Sequence, residues 1–63
     1  MKIGDKVFYG TDPRKMGFPL NPDDIGIVIE KHINAGVKYL TVKYPNPQRK
    51  TLCYAECDFT LYK

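Results

Sequence analysis

The chain has no tryptophan, a single histidine at position 32, and only two cysteines, Cys53 and Cys57. It also lacks any run of eighteen consecutive apolar residues, so no membrane-spanning helix is expected. The opening "MKIGDKVFYG" contains no apolar core of signal-peptide length. Two cysteines fall far short of a secreted disulfide scaffold, which points to a reducing, cytoplasmic setting. Glycine-rich phosphate loops and dinucleotide fingerprints are absent. Helical spacing is missing too: no window holds apolar residues at i, i+3, i+4 and i+7 for three turns.

Sixty-three residues make one domain, residues 1–63. A chain this short buries only about 60% of the surface its unfolded form exposes. A catalytic cavity of ordinary size would consume core that it does not have, so an exposed groove or face is the expected working surface. The net charge is +3 and the pI near 9.0, which leans toward acidic partners. The acids Asp5, Asp12, Asp23, Asp24, Glu30, Glu56 and Asp58 nevertheless interrupt the basic residues, and no phosphate-tracking stripe forms.

The apolar residues come in short β-branched and aromatic runs with a period near two, which is strand chemistry. Five strands are predicted. The first is Lys6–Tyr9, fed by the turn "IGD". A long polar loop, Gly10–Asp24, follows; its three prolines exclude strand pairing along its length. Ile25–Ile33 reads as a curved central strand, apolar on both faces, with Gly26 marking a bend or a close approach. "NAG" (Asn34–Gly36) reads as a three-residue hairpin loop. In Val37–Tyr44 the alternation points Leu40, Val42 and Tyr44 inward and Tyr39, Thr41 and Lys43 outward. The basic turn Pro45–Lys50 leads to Thr51–Tyr54, a 3₁₀ corner at "AECD", and a closing strand Phe59–Tyr62.

This plan resembles the SH3-like barrel: all-β, five-stranded, with a long first loop and a 3₁₀ turn before the last strand. "IGDKV" is similar to the opening of such barrels, "IGIVIE" to the Gly-x-Val kernel of KOW-type barrels, and "TLCYAECDFTLYK" to their ending. The resemblance to small barrels of bacteria and phages covers nearly the whole chain. It implies a closed barrel whose outside is the only place to act.

Candidate chemistry is sparse. A structural zinc site wants four Cys or His ligands, and Cys53, Cys57 and His32 do not close one, so no metal or other cofactor is expected. The cysteines read as buried or partly buried reduced thiols. Nothing in the sequence places His32 beside a cysteine as a base. Asp24 reads as a turn initiator bonding backbone amides, and Glu56 and Asp58 as stabilisers of the 3₁₀ corner. The ending of the chain is also similar to that of the short trimethoprim-resistant dihydrofolate reductases, which are small SH3-like barrels. Of their Val-Gln-Ile-Tyr motif, however, "TLCY" keeps only Tyr54.

Aromatics interleaved with cations remain. Tyr39, Thr41 and Lys43 on the third strand, Arg14, Lys15 and Phe18 in the long loop, and Arg49 and Lys50 at the basic turn form the expected partner-binding set. Tyrosine and arginine anchors suit a protein partner, and rings beside cations suit single-stranded nucleic acid. The competing structural role is that the tyrosine rings cover a thin core. The reading is a non-catalytic binding module that docks on a protein, and its size and the resemblance to small barrels of bacteria and phages imply an accessory protein of a phage or mobile element that modulates a host protein. The alternatives are a KOW-like nucleic-acid binder of transcription or translation, and an oligomeric reductase.

Overall fold

The computed structural model describes residues 1–63. Five antiparallel strands form one sheet: β1 (Lys6–Tyr9), β2 (Gly26–Asn34), β3 (Val37–Lys43), β4 (Leu52–Ala55) and β5 (Phe59–Leu61). Their order is β4-β3-β2-β1-β5. No helix is long and apolar enough to cross a membrane.

The turn feeding β1 is closed twice. Asp5 N–H donates to Lys2 O at 3.0 Å, and Lys2 N–H donates to the Asp5 carboxylate at 2.8 Å. Val7 then enters the main core with Val28, Leu40, Val42, Tyr44 and Phe59, while Met1 and Leu52 pack against its margin. Leu40, Val42 and Tyr44 are buried as the alternation requires. Gly26 permits a close approach: a Cβ there would lie 2.2 Å from Val42 Cγ1.

Several local expectations change. Asn34 pairs with Val37, so the hairpin loop is the two residues Ala35 and Gly36, not three. Both have positive φ, 52° and 78°, as a type I′ turn needs to match the strand twist. In β2 the register slips between Val28 and Glu30, leaving Ile29 without an opposite residue. This bulge supplies the bend. Ile27 and Ile29 do not fill a second buried face; they stay 43% and 41% exposed. The outer rows of the β2–β3 hairpin, residues 33–38, carry no buried side chain and project past the core.

The long loop is more ordered than a plain polar connection. It holds two 3₁₀ turns, Pro13–Met16 and Pro22–Asp24. Asp12 caps the first, accepting from Arg14 N–H at 2.9 Å, with Pro13 at the first turn position, where a missing N–H is harmless. The second is capped by Asn21, whose side chain accepts from Asp23 N–H at 3.0 Å. Asp24 is therefore not the turn initiator. The third 3₁₀ turn, Glu56–Asp58, falls at the expected corner.

The expected closed barrel is not what the backbone forms. β4 and β5 end the strand order and do not pair, so the sheet is open and keeps two edges.

Candidate functional site

The register builds one continuous outward face on β2, β3 and β4. Glu30, Thr41 and Cys53 form one cross-strand row; His32, Tyr39 and Ala55 form the next. Ile27 opposite Lys43 and Asn34 opposite Val37 extend it at either end. Tyr39 and Thr41 are half-buried and Lys43 is exposed. The His32 ring lies nearly parallel to Tyr39, with centroids 5.6 Å apart and planes at 14°. Lys31, His32, Ile33, Lys38 and Tyr39 line a shallow hollow of about 170 Å³ on this hairpin.

Cys53 joins this face, and here the sequence reading is corrected. Its Sγ lies 3.8 Å from His32 Nε2, although 21 residues separate the two in the chain. Both cysteines are free and exposed, not buried. Alternation alone gives the face a residue points to; only the register shows which side chains meet across it.

The other expected partner-binding residues do not gather on this face. Arg14 is spent internally. Its guanidinium bonds the nearly buried Asp12 carboxylate at 2.8 Å and Lys63 O at 3.0 Å, and lies 5.0 Å from the centre of the Tyr62 ring. Beneath it Phe8, only 1% exposed, is buried on the side of β1 opposite Val7 and meets Tyr62 at 5.7 Å. Loop and C-terminal segment thus cover a second small core. The Arg14 hydrogen bonds hold the Asp12 carboxyl below its usual range, against an opposing effect of burial.

Arg49 is likewise engaged. It lies 3.9 Å from the centre of the Tyr44 ring, pairs with Asp24 Oδ1 at 3.1 Å, and donates to Asp23 O. It pins the basic turn to the end of the long loop. Burial raises the Tyr44 phenol, and the Arg49 charge partly offsets this. Lys15, Phe18 and Lys50 remain exposed. Lys15 lines a second shallow hollow with Asp12, Thr60, Leu61 and Lys63 on the β5 side of the molecule.

At the third 3₁₀ turn, Glu56 bonds the terminal ammonium of Met1 at 2.9 Å. That bond holds its carboxyl low, with Lys31 and Lys38 adding to the effect. Tyr54, the residue shared with the reductase motif, packs against Tyr9.

No family model, curated protein or solved structure matches the chain.

Proposed function

We propose that the chain is a non-catalytic binding module of SH3-like type, and that the outward face around Tyr39 docks a protein partner. The carrying observation is the composition of that face. Ile27, Val37 and the Tyr39–His32 stack give it apolar and aromatic area, with one cation, Lys43, and one acid, Glu30, across its rows. Interface centres are poor in charge and rich in such anchors. Tying up Arg14 and Arg49 internally removes two cations from any track for phosphates. The resemblance to small phage and bacterial barrels supports a host protein as the partner and modulation of that partner as the outcome.

A second reading rests on the hairpin hollow lined by Lys31, His32, Ile33, Lys38 and Tyr39, where two cations lie one strand position from the His32–Tyr39 pair. A single-stranded nucleic acid takes rings for its bases together with cations for its phosphates, and the hairpin carries both. Capture from bacterial lysate, with and without nuclease and at two salt concentrations, separates the readings. A protein partner is retained through nuclease and salt and is lost on Tyr39→Ala. Recovery of nuclease-sensitive material alone, weakening steeply between about 50 and 200 mM salt, overturns the protein reading.

A further inference from the structure

We propose that Cys53 and His32 are one half of a zinc site completed by the same pair on a second copy of the chain. Zinc in protein sites takes thiolate at about 2.3 Å and imidazole nitrogen at about 2.0–2.1 Å, so a tetrahedral angle sets the two donors roughly 3.5 Å apart. Cys53 Sγ and His32 Nε2 stand at 3.8 Å, within a few tenths of that bite.

The donors are also aimed and reachable. Cys53 and His32 lie on the exposed face of adjoining ladders, and the stack on Tyr39 fixes the plane of the imidazole.

Two ligands do not close a four-coordinate site, and no third His, Cys, Asp or Glu joins them in this chain. Glu56, whose carboxyl feels the charges of Lys31 and Lys38, is held by the Met1 ammonium. A two-fold axis through the metal brings an identical pair from a second copy and gives Cys₂His₂. Such an interface is isologous and needs only one patch, used twice. Binding releases the two thiol protons to solvent. The dimer covers Tyr39, so zinc and the docked partner exclude one another.

Cobalt(II) titration of chelator-stripped, reduced protein tests this without any partner. Expected are a thiolate-to-metal absorption saturating at half an equivalent per chain and a matching shift from monomer to dimer in sedimentation. A chelator should reverse both. Cys53→Ser and His32→Ala each remove a ligand, so affinity should fall by more than the roughly 10–100-fold typical of outer-shell changes. Cys57→Ser should bind as the parent does, and far-UV circular dichroism should show all three variants folded. Absence of the thiolate band, saturation at one equivalent on a monomer, or a band undiminished in His32→Ala overturns the proposal. Partner capture run in chelator reads the binding-module proposal separately, so either can fail alone.

Discussion

Tyr9 on β1 and Tyr54 on β4 stand three strand positions apart in the sheet, yet their ring centroids are 5.1 Å apart. In a flat sheet three inter-strand spacings amount to roughly 14 Å. The two side chains therefore lean toward one another over the inner face of a curled sheet, across the two strands between them, and form a seam that no backbone hydrogen bond makes. Phe59 backs the pair, 5.7 Å from Tyr9 at an edge-on angle. Aromatic pairs of this kind contribute about 0.5–1.5 kcal/mol beyond the area they bury. A double-mutant cycle on Tyr9→Ala and Tyr54→Ala, followed by urea unfolding, should return a coupling energy in that range. Strict additivity would mean that the seam contributes nothing to closing the fold.

Gly26 offers a sharper test of packing. Its missing side chain is the space that Val42 occupies, and valine, branched at Cβ, has little freedom to turn aside. Gly26→Ala should cost about 1–3 kcal/mol by overpacking, a large share of what so short a chain has. The thermal midpoint reads it directly. A neutral result would show that β2 and β3 separate more readily than their register implies.

The Asp12–Arg14 pair predicts a pH dependence with a definite sign. Asp12 titrates lower in the folded chain than its ordinary value near 3.9, because Arg14 bonds the ionised form. The unfolded chain takes up the proton first as pH falls. The pair's stabilisation is thus fully present above the unfolded value and is lost as pH drops through the folded one. Asp12→Asn should lower the urea midpoint at pH 7, and the gap to the parent should narrow steadily below about pH 4. Glu56, depressed by the Met1 ammonium, acts in the same sense, so part of the acid sensitivity should survive in the variant.

Arg49 and Tyr44 can be read by alkaline titration. Burial already raises the Tyr44 phenol, and the guanidinium above its ring works against that rise. Arg49→Met, which keeps the cover over the ring and removes only the charge, should therefore push Tyr44 higher still, visible in ultraviolet difference spectra after subtracting Tyr44→Phe. The stability cost should be about 1 kcal/mol, and lysine should not restore it fully because it lacks the planar stack. A downward shift would contradict the geometry.

The strands were legible because β-branched and aromatic residues alternate; Leu40, Val42 and Tyr44 announce the core face of β3 directly. Gly26 was legible as a bend or a close approach; the structure shows the close approach, to Val42, and places the bend at the bulge instead. The bulge at Ile29 was not, because an inserted residue leaves composition unchanged and alters only the pairing. Phe8 looked like one more strand residue until the loop carrying Arg14 folded over it. The Asp-Pro pair before Arg14 did carry a capping signal that marks the first 3₁₀ turn. Arg49 looked free because Asp24 and Tyr44 become its partners only by folding, and Arg14 because the rings of Phe8 and Tyr62 do, although its carboxylate Asp12 is local; His32 meets Cys53 only through two strand registers.

The outboard rows of the β2–β3 hairpin rest on little more than their own ladder and turn. Amides there should exchange through local opening, ahead of global unfolding, whereas those of Val28 and Val42 should report the full stability of the fold. Protection measured by deuterium uptake should accordingly decline toward Ala35. A molecule seated on Tyr39 would slow that opening, so the tip is a built-in gauge of occupancy, readable before the bound species is known.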